Sequence, residues 1–293
     1  MSKSVGVSFE FFPPVDEVAA GRLEAALARL APLAPRFVSV THGADGSSRE
    51  RTIRWVGRIR REWSLSVVPH LAGAGIPRSE VQALTECYWR EGFRRLIVLR
   101  GDPPNGGSKK GDKKGDRLEY RFASELITEL RERHDFELTV AAYPEGHPDT
   151  GTVAADIDNL KRKVDAGASR AITQFFFDGD SYLRYRDRCR AAGISIPIIP
   201  GVLPIRRFDQ VCRFAERCGA SVPVWLRRRF EGLDGDPETT RLLAAHVAIE
   251  QVRRLIAEGA DEVHFYTLNH ADLTYAVCRA LGLGSVMTAS RVA

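Results

Sequence analysis

Short apolar runs alternate with helical patterns along the whole chain. The runs that read as strands are VGVSFEFF (5–12), RFVSVT (36–41), LSVVPHL (65–71), RRLIVLR (94–100), FELTVAAY (136–143), RAITQFFF (170–177), ISIPIIPG (194–201) and EVHFYTL (262–268). Between them lie amphipathic stretches such as GRLEAALARL, RSEVQALTECYWREG, AADIDNLKRKVDAGA and RFDQVCRFAERCG, with apolar residues at helical spacing. The phrases AGAS (166–169), AAGI (191–194) and AEGA (257–260) mark helix-to-strand turns, glycine acting as the helix stop. Eight βα units in 293 residues match the count and size of a closed (β/α)8 TIM barrel, an α/β fold forming a single domain over residues 1–293. A doubly wound open sheet is the alternative, but no glycine-rich fingerprint follows the first strand. The segment from Val222 to Ile256 exceeds a simple connection and predicts extra helix at the rim before the last strand.

In such a barrel the chemistry sits at the C-terminal ends of the strands. Those ends carry Glu10, Thr41-His42, His70, Arg100-Gly101-Asp102, Tyr143 and Gln174, and the last strand adds Tyr266, Thr267 and Asn269. In SFEFFPP, strand alternation puts Val5, Val7, Phe9 and Phe11 on one face and Gly6, Ser8 and Glu10 on the other. Two readings of Glu10 stand. A carboxylate poorly hydrated among aromatic rings has its acid form favoured and its pKa raised, which suits a proton donor. A partly exposed glutamate paired with an arginine is the plainer reading. Tyr143 and His147 lie in the proline-restrained loop AAYPEGHP, while Asp156, Asn159, Arg162 and Lys163 share one helix face, which by spacing alone reads as a solvated face.

Composition narrows the class. The net charge of +5 comes with arginine spread along the chain rather than in a basic stripe with interleaved aromatics, which argues against nucleic-acid binding. The five cysteines form no CxxC pair and no zinc spacing, so reduced thiols in a cytoplasmic protein and no metal are expected. No apolar run has the length of a membrane span. NGGSKKGDKKGD (105–116), with its repeated KKGD, reads as a flexible solvated insert.

SFEFFPP, VSVTHGA, VVPHL, LRGDPP, AAYPEGHP, NLKRKVDAGASRAITQFFFD, IIPGVLPI and HFYTLN, in that order, together resemble the methylenetetrahydrofolate reductase family in its short bacterial, flavin-dependent form. The resemblance implies a barrel that binds FAD, takes hydride from NAD(P)H (NADH favoured) and reduces 5,10-methylenetetrahydrofolate to 5-methyltetrahydrofolate by ping-pong transfer, supplying methionine synthesis. It implies a homo-oligomer. Carried over residue by residue, it makes Glu10 the general acid and Asp102 the carboxylate beside the flavin ring. Thr41, His42, Ala44, His70, Arg100, Gly101, Phe122, Ala123, Tyr143, His147, Thr150, Asp156, Asn159, Arg162 and Lys163 become flavin-binding positions. Gln174, Gln210, Phe214 and His270, with Glu10, become substrate positions. Three departures stand out: His42 where the pattern often has Tyr, the KKGD insertion, and His270 where Arg is common. The rival from another enzyme class is a cofactor-free barrel lyase or aldolase using Glu10 and Asp102 as an acid–base pair.

Overall fold

A computed structural model describes residues 5–42, 49–101 and 119–284. Its strands are β1 (Gly6–Phe11), β2 (Phe37–Val40), β3 (Val67–Ala72), β4 (Arg95–Leu99), β5 (Glu137–Ala142), β6 (Arg170–Thr173), β7 (Ile198–Ile199), β8 (Gly201–Val202) and β9 (Glu262–Tyr266). All pair in parallel, in the order β7-β6-β5-β4-β3-β2-β1-β9-β8. Because β7 and β8 adjoin across Pro200, this order is a ring, and the predicted TIM barrel is the fold.

The eight expected strands become nine because the seventh is split. Proline has no N–H to give to a ladder. Pro200 therefore only accepts, from His264 N at 3.0 Å, and Gly201 N donates to the Thr173 side-chain Oγ1 at 2.9 Å. β7 closes on β6 and β8 closes on β9, with the proline as the joint. The sixth strand also ends earlier than its apolar run suggests, at Thr173. Beyond it Phe175 and Phe177 leave the sheet for a second apolar cluster with Leu203, Ile205, Leu226 and Phe230.

The helices are α1 (Glu17–Leu30), α2 (Arg49–Trp63), α3 (Arg78–Arg90), α4 (Ala123–Arg133), α5 (Val153–Asp165), α6 (Gly179–Ala191), α7 (Phe208–Cys218), α8 (Val224–Phe230), α9 (Pro237–Ala257) and α10 (Asp272–Ala280). Side-chain oxygens of Asp16, Thr152, Asp178 and Asp236 cap α1, α5, α6 and α9. The turns at 166–169, 191–194 and 257–260 do end helices, and α8 and α9 are the extra helix before the last strand.

Strand alternation sorts the sheet into two environments. Val7, Phe9 and Phe11 pack outward with the helices into the main core, where burial of each large side chain stabilises by roughly 1.5–3 kcal/mol. Inside the barrel the layers differ in polarity. At its N-terminal end Glu262 meets Arg170 at 2.6 Å and Arg36 at 3.5 Å, and Glu137 meets Arg95 at 3.4 Å. Above them Phe37, Val68, Ile97, Ile172 and Ile199 form an apolar layer. Ser8 and His264 interrupt that layer beside Phe37, and polar side chains gather at the C-terminal mouth above it.

Gly201 fixes how that mouth closes. A Cβ there would stand 2.6 Å from the Tyr266 ring and closer still to Thr173 O. Gly201→Ala is expected to force Tyr266 and the β6 end apart, costing about 1–3 kcal/mol, so thermal denaturation should fall by roughly 5 °C. An unchanged melting temperature would show that the joint yields freely.

Candidate active site

At the mouth, the Glu10 carboxylate faces imidazoles, not aromatic hydrocarbon. Its Oε2 lies 3.3 Å from His70 Nε2 and 3.6 Å from His264 Nε2. The register explains this: β1 pairs with β9 so that Ser8 stands opposite His264 and Glu10 opposite Tyr266. Burial works against ionisation, but hydrogen bonding and charge from His264 and His70 outweigh it and hold the carboxyl down to about 2. This corrects the expected raised pKa, because the Phe9 and Phe11 rings point to the helices. The arginine-paired reading fails as well, since the ion-pair partners of Glu10 among the described residues are these two histidines. With a folded pKa below the ordinary 4.5, Glu10 contributes stability that is present above that value and lost as pH falls toward about 2.

Two cavities open beside this cluster. The first, of about 330 Å³, lies over the barrel axis and is walled by Glu10, Thr41, His42, His70, Tyr143, Gln174 and Phe214, together with Tyr266 and Thr267. The second, of about 270 Å³, runs outward between the β4 and β5 ends and is walled by Arg100, Gly101, Phe122, Ala123, His147, Thr150, Asn159, Arg162 and Lys163. His42 and Tyr143 border both. Either volume suits part of a small molecule, and their sum reaches the middle of the usual range of roughly 300–1,000 Å³. Among the described residues, no group of three His, Cys, Asp or Glu side chains is arranged to hold a metal ion, and no helix is long and apolar enough to cross a membrane.

The second cavity is cationic. Arg100 pairs with Asp149 at 3.0 Å. Lys163 is buried and donates to Ala141 O at 2.9 Å. Burial pushes its ammonium down to about 8, Asp156 resists, and Arg100 and Arg162 push further down. Burial likewise lowers His147, whose Nδ1 accepts from Asp149 N at 3.0 Å and whose ring meets Tyr143 edge-on at 4.6 Å. Asp156 sits behind this wall, its Oδ2 accepting from His147 N and from Thr150 Oγ1. The polar face of α5 is thus not the solvated face that spacing alone suggests: Asp156 and Lys163 turn inward and are buried.

The profile of the methylenetetrahydrofolate reductase family matches residues 1–282. The chain belongs to that family. It is 45% identical over 279 residues to 5,10-methylenetetrahydrofolate reductase of Escherichia coli strain K12, covering 95% of this chain and 91% of that one. It is 40% identical over 283 residues to the protein of that name from Buchnera aphidicola subsp. Schizaphis graminum, covering 97% and 94%. Among solved structures, a Clostridium thermocellum protein described as binding two copies of 5-methyl-5,6,7,8-tetrahydrofolic acid superposes with TM-score 0.59 at 12% identity, over 95% of this chain and 94% of that one. A likeness at that identity concerns the barrel alone.

Against the positions that family resemblance names, the structure gathers most and leaves a few apart. Ala44, Asp102 and the insert at 105–116 lie outside the described residues. Gln210 is exposed on α7 and walls neither cavity, while Phe214, one turn on, stacks on Phe175 at 5.2 Å and borders the first. His270 also walls neither; its Nε2 accepts from Arg206 Nη1 at 2.8 Å, and burial with nearby Arg206 and Arg22 lowers its pKa. Three participants were missed as site residues: Ser8, His264 and Tyr266. The signal existed, since alternation in EVHFY puts Glu262, His264 and Tyr266 on one face, and the same alternation gives Ser8 and Glu10.

The turn after β9 clamps β1. Leu268 and Asn269 both have positive φ, 49° and 59°, unusual for side chains with Cβ. The conformation lets the Asn269 amide accept from Phe12 N at 2.8 Å and donate to Phe12 O at 3.0 Å, while Thr267 Oγ1 donates to Glu10 O at 2.6 Å. Such strain persists where surrounding contacts over-determine it. Asn269→Ala should cost about 1–3 kcal/mol in denaturant unfolding and speed hydrogen exchange at the Phe12 amide. An unaltered Phe12 exchange rate would show that something else holds the segment.

Proposed function

We propose that this chain reduces 5,10-methylenetetrahydrofolate to 5-methyltetrahydrofolate with NAD(P)H, through bound FAD and by ping-pong transfer. The observation that carries the reading is the meeting of two unlike cavities at His42 and Tyr143: one ends on a carboxylate flanked by imidazoles, the other on cations. The residues suit a flavin dinucleotide. Arg162 and Lys163 would hold its pyrophosphate, His147, Thr150 and Asn159 its sugar and base, and Thr41, His42, His70 and Tyr143 would flank its ring. Gly101, at φ +84° with Ala72 and Ala74 Cβ atoms 3.1 Å from where its own Cβ would stand, keeps the β4 end close to β3 and leaves room along that wall. When bound, the flavin supplies the hydride.

The protein's own groups do the rest. Gln174 Oε1 accepts from Phe175 N at 3.0 Å, which fixes the amide and leaves its NH2 group to donate to a pterin edge. The Phe214 ring offers a stacking face. Glu10 reaches the first cavity; ionised in the free protein, it takes up a proton through that cavity when substrate binds and passes it to the bridging nitrogen, so that the five-membered ring of the substrate opens to a cationic carbon ready for hydride.

The purified protein should be yellow, with bands near roughly 370 and 450 nm; a colourless preparation that releases no flavin on denaturation would favour the lyase reading. In anaerobic stopped-flow absorbance, Glu10→Gln should leave reduction by NADH nearly intact while slowing the folate half-reaction by about 100-fold or more. Equal loss of both half-reactions would refute the proton-donor role. Lys163 is charged below about 8 and loses its proton above it. Flavin affinity, measured by fluorescence titration of the stripped protein, should therefore fall as pH rises above that value. Lys163→Met should weaken binding about tenfold or more and abolish the pH dependence; a dependence that survives the substitution would rule out Lys163 as its source.

A further inference from the structure

The helix that carries Phe214 is thinly held. Of the eleven residues of α7 only Val211 and Ala215 are buried, and no side chain caps its N-terminus. Phe208, Phe214 and Cys218 pack half-buried against the second apolar cluster. A segment with so few buried apolar contacts belongs to the less stable part of a structure unless its ends are tied. The C-terminal end of α7 is tied. Gly219, at φ +72°, ends the helix, and a Cβ there would stand 2.9 Å from Pro148 Cγ and 3.3 Å from Gly146 O. Two residues on, Ser221 N donates to Glu145 Oε2 at 3.1 Å and the Ser221 hydroxyl donates to Glu145 Oε1.

The loop on the other side of this latch is stiff. Glu145 lies between Tyr143, which borders both cavities, and His147, which walls the second. Within the loop Gly146 N donates to Tyr143 O at 3.1 Å and Thr150 N to His147 O at 3.0 Å. Asp156 accepts from His147 N and Thr150 Oγ1 behind it, and Asp149 pairs with Arg100 across it. A loop fixed at that many points is the anchor, and the helix is what it anchors. Both carboxylate oxygens of Glu145 are engaged, one by backbone and one by side chain, so Ser221 is held in orientation as well as distance. Phe214, stacked on Phe175 at 5.2 Å, sits one turn before the latched end of α7. Displacing that end therefore carries the ring with it.

We propose that Glu145 is a positioning residue for the substrate: by gripping Ser221 it seats α7 against the loop between the two cavities and so sets the place of the Phe214 ring beside the first. Glu145 walls neither cavity, and it acts through that ring without touching the folate. Its part is geometric, as an acceptor, and no proton is transferred. A stacked ring holds the bound substrate and the transition state alike, so misplacing it weakens binding while leaving the rate at saturation nearly unchanged. The inference rests on Phe214 being a stacking face for the folate, as proposed above.

The folate half-reaction of the flavin-loaded, reduced protein, followed over a range of folate concentrations, gives an apparent Kd and a limiting rate separately. In Glu145→Ala the Kd should rise about fivefold or more while the limiting rate stays within about threefold. Ser221→Ala loses the hydroxyl but keeps the N–H, and should fall between this variant and wild type. Glu145→Gln keeps an oxygen to accept from Ser221 N and an NH2 group to donate to Ser221 Oγ, and should restore most of the affinity. Phe214→Leu should weaken folate binding by itself, and Glu145→Ala added to it should change the Kd by less than about twofold, because the two act as one unit. Equal loss in both backgrounds would overturn positioning through Phe214, and an unchanged Kd in Glu145→Ala would overturn the proposal outright. Fluorine NMR of protein labelled with fluorophenylalanine, with Phe214→Leu to assign the signal, reads the ring without substrate. Glu145→Ala should shift or broaden the Phe214 line; an unmoved line would show that α7 is held without the latch. If Phe214→Leu leaves the folate Kd unchanged, the reading of that ring as a folate-stacking face fails, and the fluorine line still decides whether Glu145 places it.

Discussion

A carboxylate taken out of water must be met by hydrogen bonds and opposite charge, or it will not remain ionised. The interior of this barrel is arranged around that demand at Glu10. His70 and His264 reach it from two different strands. Ser8 holds the far nitrogen of His264. Tyr266 fixes the ring's edge and is itself tied to the end of β6. That tie needs the bare backbone of Gly201, which sits beside the proline joint where the barrel closes. The closure of the sheet and the charge state of one side chain are therefore parts of one construction.

The polarity of the barrel's layers follows from the same demand. Ion pairs seal the N-terminal end, an apolar layer crosses the middle, and imidazoles with the carboxylate occupy the mouth. The middle layer excludes water from below, so field lines from Glu10 are screened mainly by the groups the protein places there and by whatever fills the cavity. In the second cavity the logic is inverted. Lys163 and Arg162 stand where an anion would relieve them, and burial has already made the Lys163 charge costly, which is the state from which binding an anion yields most.

Strand positions and closure of the barrel could be read from apolar runs because those runs report burial, and burial is what an eight-stranded interior requires. Boundaries were legible to within a residue or two except at the sixth and seventh runs: ISIPIIPG begins four residues before β7, and the end of the sixth run served another purpose. QFFF continues the hydrophobic pattern of β6, yet Phe175 and Phe177 serve the cluster beneath α7, α8 and α9. Alternation correctly put Glu10 on the face opposite Phe9 and Phe11. The expected pKa nevertheless went in the wrong direction, because the flanking residues in sequence are not the neighbours in space. Those neighbours come from β3 and β9, and only the register of β1 against β9 names them. The buried face of α5 was hidden for a related reason: Asp156 and Lys163 are residue types that spacing alone assigns to solvent.

His264 shows what kind of residue such reading passes over. A histidine in the middle of a strand offers no motif, reaches no cavity and resembles ordinary core packing. Its importance is second-order, exerted on a group that does reach the cavity. Here Nδ1 lies 2.8 Å from a hydroxyl that can donate or accept, while Nε2 makes no hydrogen bond and stands 3.6 Å from the carboxylate at the mouth. That pairing does little for packing that a hydrocarbon of the same size could not do. What it adds, with His70, is the electrostatic hold that keeps the Glu10 carboxyl ionised.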